Sequence, residues 1–153
     1  MIVKIGFIFE STFWISGDKM TQKILLVDDD PDVITLNKTV VEENGYLPLV
    51  AENGEIGLEL AKTDSPDLII LDILMPRQSG IKMYRALKLD ETLKAIPVIV
   101  LSGIAQQSFL KSQETLAGFS GLRVPEPQVY LEKPVSPAEL ASTIQRIIGP
   151  AEK

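Results

Sequence analysis

Residues 25–33 read LLVDDDPDV. Three aliphatic residues run into three aspartates and then into a proline, so two kinds of local structure meet at one point. The apolar half, taken back to Ile24, has the length and the lack of polar alternation of a strand buried on both faces. The acidic half carries a helix start: Asp30 can cap free backbone N–H groups, Pro31 suits the first turn, and Asp32 adds a charge that a helix N-terminus favours. A strand that runs straight into a helix opens a βα unit. It leaves unexplained why Asp28 and Asp29, which repel each other, stand together at the junction.

The same unit recurs along the chain. Short apolar runs at 24–27, 47–50, 68–71, 97–101 and 129–131 are strand-sized. Between them apolar residues fall at helical spacing: Val33, Leu36 and Val40; Ile56, Leu60 and Ala61; Ile81, Tyr84 and Leu87; Leu140, Ile144 and Ile147. Gly45 follows the first helix and Ser136–Pro137 opens the last. Five βα units joined by right-handed crossovers predict an α/β fold, a doubly wound five-stranded parallel sheet with helices on both faces. The irregular stretch is 106–128, where a short fourth helix is expected to give way to QETLAGFSGLRVPEPQ, with its two prolines and its glycine and serine breaks.

With 153 residues, 45% hydrophobic and 24% charged, the chain suits one domain with an ordinary core. A net charge of −6 argues against direct binding to nucleic acid or to an anionic membrane. Having neither cysteine nor histidine, the chain forms no disulfide, has no thiolate or imidazole catalyst, and builds no Cys/His zinc site. Any metal must be held by oxygen. No apolar run spans a bilayer, and the opening segment has only Lys4 for a basic region and no A-x-A-like cleavage site. The expected location is cytoplasmic. MTQKILLVDDD, from Met20, reads as a second beginning, so residues 1–22 are expected to be an extension outside the core fold. An added edge strand over residues 2–9 is the alternative. Mass spectrometry of the natural protein, showing Met1 or Thr21 at its start, separates the two start sites. Residues 23–149 then form the domain and 150–153 a short tail. Only GPAEK follows the last helix, which suggests a stand-alone domain acting through another protein, or a piece of a longer chain.

In a doubly wound sheet the working crevice lies beyond the C-terminal strand ends. Asp28 and Asp29 follow the first strand, Asp72 the third, Ser102 the fourth and Lys133 the fifth. Two carboxylates about 4 Å apart repel by roughly 4 kcal/mol at an effective dielectric near 20, so the cluster needs a positive partner. Three aspartates and Lys133 sum to −2, which one divalent cation cancels. An all-oxygen site with few carboxylates suits Mg²⁺. Such a metal beside a carboxylate, a hydroxyl and an ammonium is equipment for phosphoryl transfer, with Asp72 as the nucleophile that forms an acyl phosphate.

Taken in order, ILLVDDDPDV, LIILDILMP, VIVLSG and VYLEKP resemble the receiver domain of two-component response regulators, over residue 23 to about 149. The resemblance implies that Asp72 is the phosphoacceptor. It also implies that Asp28, Asp29 and Asp72 hold Mg²⁺ with the backbone carbonyl of Leu74. Ser102 corresponds to the switch hydroxyl, Tyr130 to the aromatic switch, and Lys133 to the lysine before a cis proline, Pro134. A histidine kinase or a histidine phosphotransfer protein would supply the phosphoryl group, and a separate downstream protein would read the altered surface of the fourth helix, fifth strand and fifth helix. Activity is then limited to self-phosphorylation and self-dephosphorylation, the latter slowed by Leu74 and Ile104. The chain departs from the pattern in its output region: Ser102 and Lys133 stand 31 positions apart, and RVPEPQVY replaces the usual GA-x-x-Y.

Two other readings compete. A haloacid dehalogenase-like phosphatase needs D-x-D-x-T/V after its first strand, but Asp32 stands where Thr or Val belongs. A receiver-like interaction module working without phosphorylation would act through 106–128.

Overall fold

The computed structural model describes residues 21–151. The expectations for residues 1–20, whether extension or edge strand, lie outside the described residues.

Five strands, β1 (Lys23–Val27), β2 (Leu47–Ala51), β3 (Leu68–Leu71), β4 (Val98–Ser102) and β5 (Val129–Glu132), alternate with five helices. These are α1 (Pro31–Glu43), α2 (Gly54–Asp64), α3 (Ser79–Leu89), α4 (Gln106–Ser120) and α5 (Pro137–Ile148). All four ladders are parallel, in the order β2-β1-β3-β4-β5. From β1 the chain goes first to one side and then to the other, so strand order reverses between β1 and β3 and a crevice opens at their C-terminal ends.

The continuous apolar runs are explained by the two covered faces. Ile24 and Leu26 point to one side, where Ile70, Ile99 and Leu101 meet Val41 of α1 and Ile144 of α5. Leu25 and Val27 point to the other, where Ile69, Leu71 and Val100 meet Ala61 of α2, Met83 and Tyr84 of α3, and Phe109 of α4. Each such fully buried aliphatic side chain contributes about 1.5–3 kcal/mol relative to exposure. Both layers press on the central strands and fix where those strands end.

Helix starts follow the sequence chemistry. Asp30 Oδ1 accepts from Asp32 N at 2.9 Å and from Val33 N at 3.5 Å, and Ser136 Oγ accepts from Glu139 N at 3.1 Å. Gly80, in the first turn of α3, packs directly on the backbone that follows β3. A Cβ there would collide with the Asp72 carbonyl oxygen and lie 2.7 Å from Ile73 Cα. Only glycine lets α3 approach this closely, and the approach sets the height of Asp72.

The stretch 106–128 is more regular than its composition suggests. In place of a short helix, α4 runs for 15 residues and ends at Gly121, whose φ of +76° closes the last turn through Gly121 N to Ala117 O at 2.7 Å. Gly118 does not break it. Ala105 supplies no side-chain cap; Glu132 of β5 does so instead, its Oε2 accepting from Gln106 N at 3.1 Å. The irregular part is confined to 121–128, and it is fastened to its surroundings. The Tyr84 hydroxyl donates to Pro125 O. Arg85 Nη2 donates to Leu122 O at 2.6 Å, and Gln128 Oε1 accepts from Val98 N at 2.9 Å. Among the described residues, no helix is long and apolar enough to cross a membrane.

Candidate functional site

Four strands converge on the crevice. Asp28 follows β1 and Asp72 follows β3, held level by Asp28 N donating to Ala51 O at 3.2 Å and Asp72 N to Val27 O at 2.9 Å. Both side chains are buried, at 5% and 6% exposure, although carboxylates are seldom buried without a partner. Asp28 Oδ1 accepts from Asp30 N at 3.0 Å, and Asp72 Oδ1 accepts from Leu74 N at 3.1 Å. Their other oxygens share one cation: Lys133 Nζ lies 3.3 Å from Asp28 Oδ2 and 3.8 Å from Asp72 Oδ2. Asp29 is exposed, yet one oxygen from each of Asp28, Asp29 and Asp72 fits within a 4.8 Å span. Among the described residues this is the one such group of carboxylates.

The electrostatics are unbalanced. Burial, followed by the charge of Asp28, pushes the Asp72 carboxyl above the usual range for aspartate. The Lys133 ammonium and hydrogen bonds from Leu74 N–H and the Ser102 hydroxyl pull it back without cancelling the rise. One ammonium does not neutralise three carboxylates, so the crevice keeps an excess of negative charge.

Ser102 closes β4 with its side chain fully buried. Its Oγ accepts from Ile104 N at 3.5 Å, a long bond, and its carbonyl accepts from Lys133 N at 2.8 Å. The peptide that follows, Lys133–Pro134, is cis. Tyr130 is half-buried on β5, and its hydroxyl donates to Ile104 O at 2.7 Å. Burial pushes that hydroxyl up to about 12, and the charges of Glu132 and Asp72 add to the rise. The Tyr130 ring packs on Phe109 with centroids 5.5 Å apart, and Phe109 meets Tyr84 edge-on at 5.4 Å.

Asp28, Asp29, Asp72 and Lys133 therefore come together, with Ser102 beside Asp72 and Tyr130 at the rim. The side chain of Leu74 is 64% exposed and its N–H serves Asp72. Three contributors escape the sequence reading. Glu132 caps α4, the carbonyl of Ile104 anchors Tyr130, and Phe109 links α4 to the Tyr130 ring. Glu132 adjoins Lys133 in sequence, but its capping role depends on where α4 begins, which no local signal marks.

Residues 24–145 match the family model described as response regulator receiver domain. The chain is 32% identical over 132 residues to the polar-differentiation response regulator DivK of Brucella ovis, a match covering 86% of this chain and all of DivK. It is 31% identical over 133 residues to the alkaline phosphatase synthesis transcriptional regulatory protein PhoP of Bacillus subtilis, covering 87% of this chain but only about half of PhoP, 51%. Among solved structures it resembles the chemotaxis protein CheY4 of Vibrio cholerae, with a TM-score of 0.67 and 27% identity over 83% of this chain and 98% of that one. It also resembles the receiver domain of the sensor histidine kinase PA1611 of Pseudomonas aeruginosa PAO1, with a TM-score of 0.70 and 28% identity over 84% and 98% of the two chains. That structure has a magnesium ion coordinated in its active site cleft.

Proposed function

This chain belongs to the family of response regulator receiver domains, and from that premise we propose that it is a phosphorylation-controlled switch whose acceptor is Asp72. A receiver domain of a two-component system accepts a phosphoryl group on an aspartate and works as a signalling switch, not as a turnover enzyme. The observation that carries the residue assignment is the gathering of three carboxylates within 4.8 Å beneath one lysine ammonium.

An Asp72 carboxylate oxygen bonds to phosphorus as the N–P bond of a phosphohistidine breaks, and the electron pair returns to the ring nitrogen. The histidine belongs to a kinase or a histidine phosphotransfer protein, because this chain has none. Lys133, already turned toward Asp72, neutralises one phosphoryl oxygen, and the Ser102 hydroxyl donates to another. Asp28, Asp29, Asp72 and the backbone carbonyl of Leu74 would hold Mg²⁺, which when bound offsets the charge of the phosphoryl oxygens. The donor set supports that ion: it is all oxygen and it is acidic in excess of its one ammonium. The magnesium in the PA1611 receiver supports it from outside.

The acyl phosphate carries about −2 of charge where the carboxylate carried −1, and it brings three acceptor oxygens. Ser102 is drawn toward them, and Tyr130, released from Ile104, turns into the space left. The changed surface comprises α4, β5 and α5, and it is read by a separate downstream protein. We assign the receiver to residues 23–149, leave 1–22 and 150–153 outside it, and place its action in the cytoplasm, with neither nucleic acid nor membrane as a direct partner.

Incubation with acetyl phosphate and Mg²⁺, followed by intact-mass measurement, tests the reading. A phosphate-sized gain that requires both Mg²⁺ and Asp72, and is lost in Asp72→Asn, is expected. No gain moves the function to phosphorylation-independent binding through residues 106–128. Leu74 and Ile104 restrict water at the acceptor, so replacing both with polar residues shortens the phospho-form lifetime; an unchanged lifetime refutes that role.

A further inference from the structure

The connection from β4 to α4 is tied to β5 at three alternate residues. Lys133 N donates to Ser102 O at 2.8 Å, the Tyr130 hydroxyl donates to Ile104 O at 2.7 Å, and Glu132 Oε2 accepts from Gln106 N at 3.1 Å. The first bond joins two main chains and lasts as long as the sheet does. The other two depend on single side chains.

The middle tie is the one that the switch undoes. Ile104 has its N–H held by Ser102 Oγ at 3.5 Å and its carbonyl held by Tyr130. These are the two side chains that respond to an acyl phosphate on Asp72, so both backbone groups of Ile104 are released together. At Gly103 even an added Cβ would meet nothing within 4 Å, which leaves the freed segment room to turn. Among the described residues, the Glu132 bond is then the hydrogen bond that still joins β5 to the start of α4.

The origin of that cap gives it a role beyond capping. In α1, α2 and α5 the acceptor is the residue just before the helix, Asp30, Asn53 or Ser136, and it travels with its helix. Ala105, at the same position of α4, offers no acceptor. A cap that belongs to β5 stays with the sheet, so it forms only while α4 begins where it now does. Hydrogen bonds fade steeply beyond about 3.5 Å, and a shift of about 1 Å at Gln106 is enough to lose this one. An interaction made in one of two states biases the equilibrium by its full strength.

We propose that Glu132 is the latch of the switch: it holds α4 in the unphosphorylated position, lets go once Ile104 is released, and so sets how readily Asp72 takes up a phosphoryl group. Glu132 is a positioning residue, and the inference rests on Asp72 being the acceptor. Losing a helix cap of ordinary strength corresponds to a bias of roughly fivefold.

Amide NMR of the full chain, before and after treatment with acetyl phosphate and Mg²⁺, marks the two ends of the switch at Ile104, Gln106 and Phe109, with intact mass as the check on phosphorylation. Unphosphorylated Glu132→Ala is expected to lie part way along the line between those ends and to take up phosphate about fivefold faster. Removing Glu132 also removes a negative charge near the crevice. Glu132→Gln removes the same charge but keeps an oxygen acceptor, and is expected to stay near the unphosphorylated end, within about twofold of the wild-type rate. The latch is overturned if Glu132→Ala stays at the unphosphorylated end, if its shifts fall off the line, or if glutamine matches alanine. A wild type that gains no phosphate sinks the assignment of Asp72 and the latch with it, whereas a wild type that gains phosphate beside an unmoved Glu132→Ala sinks the latch alone.

Discussion

The strand-end crevice and the α4–loop region hold their functional groups in opposite ways. In the crevice, each side chain is placed by the end of a buried strand, and the sheet register brings Asp28 and Asp72 level. In the region 106–128, position is set by separate side-chain fastenings reaching from α3, β4 and β5. Register-built geometry fails all together or not at all. Fastened geometry can be taken apart one bond at a time.

The comparison is broken most severely at Gly80. Gly80→Ala drives a Cβ into the Asp72–Ile73 backbone and is expected to cost about 3 kcal/mol in denaturant unfolding. It also misplaces the acceptor, so phosphoryl uptake falls with stability. A loss under about 0.5 kcal/mol would mean that α3 shifts freely and that its close approach does not hold the Asp72 backbone in place.

A subtler test uses charge. Because the folded-state pKa of Asp72 lies above its ordinary value, the folded protein holds the proton more tightly than the unfolded chain does. Stability from this group is complete at acid pH and is lost as pH rises through the folded value. Asp72→Asn removes that loss, so its thermal midpoint should exceed that of the wild type at neutral pH, with the gap closing as pH falls toward the ordinary aspartate range. Mg²⁺ at about ten times its Kd should raise the wild type by about 1.4 kcal/mol and the variant by much less. A gap independent of pH would show that the carboxylate is not strained by its burial.

The smallest effect sharpens the contrast from the other side. Arg85→Met deletes the bonds to Leu122 O, Ser120 Oγ and Gln113 Oε1. It is expected to cost about 1–2 kcal/mol and to raise hydrogen exchange across 121–128, with phosphoryl uptake retained. Loss of uptake would mean that the two regions are not separable.

This contrast also explains what could be read from the sequence. The strands emerge within a residue of their predicted ends because they are short apolar runs with polar residues immediately beyond. The same edges expose Asp28, Asp29, Asp72, Ser102 and Lys133 as a set. The full length of α4 is not legible, because its N-terminal cap comes from Glu132, 26 residues away in sequence, and its buried face offers one large apolar residue, Phe109, beside Gln113 and Ala117. The loop that follows looks unstructured because its order comes from Tyr84, Arg85 and Val98, all distant in sequence.

Tyr84, Phe109 and Tyr130 form a row that crosses from the fastened loop, through α4, to the rim of the crevice. Aromatic rings magnetise their neighbours, so the Phe109 ring protons feel both tyrosines at once. Any turn of Tyr130 changes that local field, and any release of the loop changes it from the other side. The middle ring is thus a built-in magnetic gauge, needing no label, that reports on the crevice and the loop in a single resonance.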